Sequence, residues 1–151
     1  MPELLRMFKK NTKERLLLVA TFVLVLGADQ LIKYNIRSNG GFYICNPGIS
    51  LGIQLPTFAF WLILAIFLFF AISHYETFIQ NFKQNKLFFV FLGLFLSGLL
   101  SNLLDRFLFD CIIDYIFPFW QKLPVFNLAD VAIFFGVSGL ILLTHKKHTI
   151  K

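Results

Sequence analysis

Leu87-Phe88-Phe89-Val90-Phe91-Leu92-Gly93-Leu94-Phe95-Leu96-Ser97-Gly98-Leu99-Leu100-Ser101-Asn102-Leu103-Leu104 runs 18 positions without a charged side chain. A helix needs about 20 mostly apolar residues to cross the hydrocarbon core of a bilayer. The whole chain points the same way. Of its 151 residues 58% are hydrophobic, 21 are phenylalanine and only 15% are charged, against roughly 25% charged in a soluble domain. A domain this small leaves much of its surface exposed, and there are too few polar side chains to cover it with water. The same apolar excess rules out disorder.

Three further stretches resemble the first. Leu55 to Ser73 is uncharged, Leu16 to Ala28 is uncharged and can continue through Asp29 and Lys33 to Ile36, and Val125 to Leu143 carries one charge, Asp130. The expectation is an all-α integral membrane protein. Its four transmembrane helices lie near 16–36, 55–75, 87–106 and 126–144, in a single membrane domain over 1–151. Pro56 suits the first turn of the second helix, where a missing N–H costs little. The first span is expected to stay as an anchor, because Asp29, Gln30 and Lys33 stand where a signal peptide has a small-residue cleavage site.

The net charge of +6 suggests a nucleic-acid binder until the charges are placed. Arg6, Lys9, Lys10, Lys13, Arg15, Lys83, Lys86, Lys146, Lys147 and Lys151 fall on one side, 10 of the 14 basic residues. Lys33, Arg37, Arg106 and Lys122 fall toward the other. Basic residues stay cytoplasmic, so segment 1–15 and tail 145–151 are expected in the cytoplasm, against anionic membrane lipid. No nucleic-acid motif is present, and no nucleic-acid partner is expected.

The acids take the opposite side. Asp29, Asp105, Asp110, Asp114 and Asp130 all map to the external ends of helices or the last external loop; Glu3, Glu14 and Glu76 do not. His74, His145 and His148 map to cytoplasmic ends, away from the aspartates and without metal-ligand spacing. Cys45 and Cys111 stand in different external loops with no C-x-x-C, which argues against a thiol oxidoreductase. Their plainer reading is two unpaired small apolar residues; a disulfide is the alternative, since that compartment is oxidising.

Each polar group has a bland and a sharp reading. Asp29 and Lys33, four apart on one helix face, form either an intrahelical pair with Lys33 snorkelling outward or a brace for a site. Gly93, Ser97 and Ser101 recur every four residues, as close helix packing requires. Asn102, Asp105 and Arg106 share a face as a structural hydrogen-bond knot or as part of a site. Asp114 sits in a short extended segment, Ile112-Ile113-Asp114-Tyr115. Asn127 is expected to cap the last helix, with Asp130 near its positive end. Thirteen uncharged, almost wholly apolar positions follow Asp130, and a carboxylate at that depth is expensive and usually functional. Were Asp114 and Asp130 to converge, they would share a proton. The ionised one would take a proton from water and the neutral one would donate to a carbonyl, which is peptide hydrolysis without a covalent intermediate.

At these residues the chain resembles the prolipoprotein signal peptidase family, signal peptidase II. Its motifs appear in order as Asp29-Gln30-Leu31-Ile32-Lys33, Asn46-Pro47-Gly48, Ser101-Asn102-Leu103-Leu104-Asp105-Arg106, Ile113-Asp114-Tyr115 and Phe126-Asn127-Leu128-Ala129-Asp130. The resemblance implies a four-helix bundle carrying a small extracytoplasmic β-cradle, shortened here because Lys33 to Asn46 is brief. It implies a monomeric aspartic endopeptidase of the bacterial inner membrane, with no cofactor or metal. Its substrates would be lipid-modified prolipoproteins, cut just before the diacylglyceryl-bearing cysteine. Asp114 and Asp130 would be catalytic. Asn102, Asp105, Arg106 and Asn127 would support them together with Asp29 and Lys33, and Asn46 and Gly48 would face substrate. The chain departs from the pattern at Ser101 and Asp110, where glycine is usual, and at Cys45, where arginine is common. It departs again at Ile49, Ser50 and Leu51. Two other classes stay open: a small transporter or proton-relay subunit using Asp29, Asp105 and Asp130, and an inactive relative that only binds.

Overall fold

The computed structural model describes residues 12–48, 65, 69, 73, 85–118 and 124–149. Most of the expected second span therefore lies outside the described residues; Ala65, Phe69 and Ser73 within it are helical. Segment 1–11, Ile49, Ser50, Leu51, Lys83 and Lys122 also lie outside.

Helix α1 (Thr12–Ser38) runs through Asp29, Gln30 and Lys33 without a break. At 27 residues it is about 40 Å long, enough to cross a bilayer with a turn to spare at either end. Helix α2 (Lys86–Phe109) starts at Asn85, whose side-chain oxygen accepts from Leu87 N at 3.1 Å, satisfying one of the orphan amides of the first turn. It ends at Asp110, which takes the left-handed conformation (φ 59°) and donates its N–H to Arg106 O at 3.0 Å. That geometry favours glycine, and a short polar residue such as Asp tolerates it. Asp110 is thus a helix cap. Helix α3 (Leu128–Thr149) is capped by Asn127, as expected, and carries Asp130 in its first turn.

Burial is inverted relative to a water-soluble bundle. Leu16, Val19, Val23, Leu24 and Leu31 of α1 are exposed, and so are Phe107, Phe134, Phe135 and Leu142. Asp29, Lys33, Ser97, Ser101, Asn102, Asp105, Asp114 and Asn127 are buried. Apolar side chains that face outward are stable against lipid, and polar ones must then find partners inside. Among the described residues α1 and α2 are each long and apolar enough to cross a membrane. At one end of the bundle the interior is apolar, with Phe88 and Phe89 packed against Leu18, Leu92, Leu140 and Leu143. At the other it is polar.

Glycines set how closely the helices approach. A Cβ on Gly93 would lie 3.0 Å from Leu18 O in α1, and one on Gly136 would lie 2.6 Å from Phe95 N in α2. Both obstacles are backbone, which a rotamer change cannot relieve, and the second is the closer. Gly136→Ala should therefore cost about 1–3 kcal/mol, as overpacked cores do. At Gly27 nothing lies within 4 Å, and Gly27→Ala should be neutral or slightly stabilising from helix propensity alone. Thermal unfolding of the two variants in detergent measures the contrast; equal melting temperatures would refute it.

The chain between helices forms a two-stranded antiparallel sheet, β1 (Ile44–Asn46) with β2 (Ile112–Asp114), in the register Ile44↔Asp114, Cys45↔Ile113, Asn46↔Ile112. Ile116 pairs with Phe126 just beyond it. That bridge brings the end of β2 alongside the start of α3. Cys45 and Cys111 are joined in a disulfide, with Cα atoms 5.4 Å apart. This corrects the unpaired reading. Two cysteines 66 positions apart give no sign of contact until strand pairing brings Cys45 of β1 beside the residue that precedes β2.

Candidate active site

Asp114 ends β2, a strand buried at all three positions. Both its carboxylate oxygens accept from amides: Oδ2 from Asn46 Nδ2 at 3.0 Å and Oδ1 from Asn127 Nδ2 at 2.7 Å. Asp130 is held in the same manner. Its Oδ1 accepts from Asn102 Nδ2 at 2.8 Å and its Oδ2 from the Asn127 backbone N–H at 3.2 Å. The Asp130 N–H returns a bond to Asn127 Oδ1 at 2.8 Å. This reciprocal capping box explains why α3 starts where it does. It also makes Asn127 a bridge, because one residue donates to both carboxylates.

Beneath this pair lies a second layer. Lys33 Nζ contacts Asp29 Oδ2 at 2.6 Å, Asp105 Oδ2 at 2.7 Å and Asn102 Oδ1 at 3.1 Å. Its three donors are all used, and Lys33 is fully buried. The snorkelling reading is thereby corrected: three acceptors from two helices outbid the interface for the ammonium. Asp29 also accepts from Ser101 Oγ at 2.6 Å, Tyr115 OH at 2.9 Å and Ala129 N at 3.2 Å. Asp105 also accepts from Gln30 Nε2 at 3.0 Å and Ile113 N at 3.1 Å. The two lower carboxylates thus anchor β2 and the first turn of α3 to α1 and α2. Buried charges survive only when paired and hydrogen-bonded in this way.

A third group holds β1. Gly48 N donates to Asn46 Oδ1 at 2.9 Å, which orients the Asn46 amide with its NH2 toward Asp114. Arg106 donates to the carbonyls of Pro47, at 3.3 Å, and Gly48. Asp29, Lys33, Asn46, Gly48, Asn102, Asp105, Arg106, Asp114, Asn127 and Asp130 therefore form one connected cluster. Asp110 stands outside it as the α2 cap.

Three members were not singled out from sequence as site residues: Gln30, Ser101 and Tyr115. Ser101 looked like a packing residue in the small-residue stripe, but its hydroxyl is a donor to Asp29. Gln30 donates to Ser101 as well as to Asp105. Each is a polar side chain in a strongly apolar stretch, and that was the available signal.

The field in the site favours a retained proton. Burial, together with the neighbouring Asp130, pushes the Asp114 carboxyl up, and the amides of Asn46 and Asn127 partly offset this, leaving it at about 6. Burial and the Asp29 carboxylate push the Tyr115 phenol up, so it remains a proton donor to Asp29 across the physiological range. Among the described residues no group of His, Cys, Asp and Glu side chains is placed to hold a metal ion. The arrangement is two carboxylates, each held by amide donors, with Asn127 donating to both.

Comparison with known proteins places this architecture. The family model described as signal peptidase (SPase) II matches residues 21–146. The lipoprotein signal peptidase of Moorella thermoacetica is 35% identical over 133 residues, covering 76% of this chain and 83% of that protein. The one from Helicobacter pylori is 28% identical over 151 residues, covering 90% of this chain and 91% of that protein. A solved bacterial membrane enzyme superposes with a TM-score of 0.74 at 26% identity, covering 89% of this chain and 90% of its own. A second gives 0.69 at 26% identity over 84% of this chain and 91% of its own. With the matched region running from within α1 into α3, and so through every residue of the cluster, this chain belongs to the signal peptidase II family.

Proposed function

We propose that the chain is an intramembrane aspartic endopeptidase that removes signal peptides from lipid-modified bacterial prolipoproteins, cutting N-terminal to the lipidated cysteine. The observation that carries this reading is Asn127, which donates to Asp114 with its side chain and to Asp130 with its backbone. It couples a carboxylate on a strand to a carboxylate at a helix start. Four spans, both termini in the cytoplasm of an inner-membrane monomer, and a site near the extracytoplasmic face complete the proposal. The distribution of the basic residues along the chain and the polar interior at one end of the bundle support it.

In the proposed reaction the ionised carboxylate takes a proton from a water molecule as its oxygen attacks the scissile carbonyl carbon. The protonated carboxyl gives its proton to the carbonyl oxygen. In the second step a carboxyl protonates the amide nitrogen, the C–N bond breaks, and the signal peptide leaves as a carboxylic acid. The water supplies the OH of that acid and a hydrogen of the new amine, and the pair recovers its single proton. Proton ownership belongs to the pair rather than to either residue. The proton-relay alternative needs polar groups along the depth of the bilayer. Among the described residues the opposite end of the bundle is filled by Phe88, Phe89 and four leucines, which offer no such path.

The purified protein should cleave a diacylglyceryl-modified precursor and leave the unmodified one intact, as followed by gel shift or mass. Cleavage of neither, or of both equally, overturns the assignment.

The pH profile carries a separate expectation. With the Asp114 carboxyl near 6 while its neighbour Asp130 is charged, the rate should fall above about pH 6, by roughly tenfold per unit, as the pair gives up its single proton. The Asn46 amide bonds to the charged form and so holds this value down. Asn46→Ala should move the alkaline limb to higher pH by about one unit, a loss on the order of a charged hydrogen bond. An unshifted limb would show that Asn46 does not act on the dyad.

A further inference from the structure

Asn46 is effective only if β1 stays paired with β2, and the sheet itself is a weak device for that. Each strand is three residues long, and an isolated two-stranded ribbon is marginal. β1 is exposed at Ile44 and Cys45, and Phe42 and Tyr43 before it are exposed as well, so little buried apolar surface presses it down. Arg106 grips only the far end, through the carbonyls of Pro47 and Gly48. The fastening at its centre is the Cys45–Cys111 disulfide. Cys45 immediately precedes Asn46, and Cys111 opens the segment that ends at Asp114. The bond therefore ties the residue beside the amide donor to the strand that bears its acceptor.

We propose that Cys45 and Cys111 are a positioning pair: their disulfide latches Asn46 against Asp114, so full peptidase activity requires the oxidised protein. The proposal rests on the peptidase reading above. The latch closes by thiol–disulfide exchange. Two cysteine thiols give up two protons and two electrons to a disulfide donor on the extracytoplasmic side, which leaves as a dithiol. A dithiol reagent reverses it, becoming a cyclic disulfide as the two cysteines regain their hydrogens. Exposed Cys45 is the sulfur such a reagent reaches first; Cys111 is buried. In the reduced protein β1 is held at one end, the Asn46 amide leaves Asp114 for part of the time, and the carboxyl loses an interaction that favours its charged form.

The test is a redox titration of the purified full-length protein in detergent, read by alkylation mass and by cleavage of the lipidated precursor. The untreated protein should take up no alkylating agent, and the protein treated with dithiothreitol should take up two equivalents. Reduction should lower the kcat plateau about tenfold, because a loosened Asn46 amide no longer holds the Asp114 carboxyl in place, change KM by less than about twofold, and move the alkaline limb upward as Asn46→Ala does, an effect of about one unit on a hydrogen bond to a charged group. Reoxidation should restore the rate. Dithiothreitol should add nothing to the Asn46→Ala variant, and nothing to a Cys45→Ser/Cys111→Ser variant. Free thiols in the untreated protein, or an unchanged rate and pH profile after complete reduction, would overturn the latch while leaving the peptidase assignment in place. An oxidised protein that fails to cleave would instead overturn the peptidase reading. Should the serine variant fold poorly, reversible reduction of the unmodified chain decides the matter alone. A loss of activity that reoxidation does not reverse, or that occurs with an unshifted alkaline limb, marks a merely structural bond and also overturns the latch.

Discussion

Asp114→Asn and Asp130→Asn should each reduce cleavage of a lipidated precursor by at least about a thousandfold, within the range expected for loss of a general acid or base. The double variant should be no worse than either single one. Groups that act as a unit are strongly non-additive, and once one carboxylate cannot exchange a proton the other has no partner for the cycle. An amide keeps the shape of the carboxyl and can still accept from one neighbour, so both variants should fold and insert. Retention in membranes and the melting temperature in detergent check that point. The geometry makes the comparison sharp. Asp114 hangs from β2 and Asp130 from the first turn of α3, with Asn127 touching both. Loss at one site only, or losses that multiply, would break the dyad assignment.

Lys33→Met should destabilise the protein by about 3–5 kcal/mol, the loss typical when one partner of a buried ion pair is removed. Lys33 is fully buried between Asp29 and Asp105, at 2.6 and 2.7 Å. Without it two carboxylates remain inside with no cation, and Asn102 loses a donor 3.1 Å away. For a chain of this size the melting temperature should fall by roughly 10 °C or more. Lys33→Met/Asp29→Asn should recover part of that loss. Its new amide can keep its oxygen toward Tyr115 and Ala129 while turning its NH2 toward the Ser101 hydroxyl, which can accept. A double variant as unstable as Lys33→Met alone would show that lost packing, not uncompensated charge, is what matters at this position.

The motifs that carry chemistry were largely legible in the sequence, because scarcity makes them conspicuous. With 8 acidic residues in 151, an aspartate ahead of a long apolar run cannot be ordinary solvated surface. The polar ends of the spans, at Asp29, Asp105 and Asp130, were readable for that reason, and the Asn127 cap follows from side-chain chemistry one turn away. Lys33 was less legible. Spacing showed that it faces Asp29, but the choice between snorkelling and burial depends on what another helix offers. Ser101 passed for a spacer because a serine in a small-residue stripe looks the same whether its hydroxyl is used or idle. Gln30 and Tyr115 have the same difficulty: the acceptors to which they donate lie 71 or more positions away.

Burial against lipid, the helical character of the long apolar stretches and the crowding of aspartates toward one end were all determined by the sequence alone. They depend on local composition and periodicity, and a bilayer reads those directly. The pairing of Asn46 with Asp114, the burial of Lys33 under the dyad and the joining of Cys45 to Cys111 were decided only by tertiary structure. Each rests on atoms brought within bonding distance from segments tens of residues apart. A hydrogen bond or disulfide depends on distance and direction, which side-chain type and spacing along one segment do not contain.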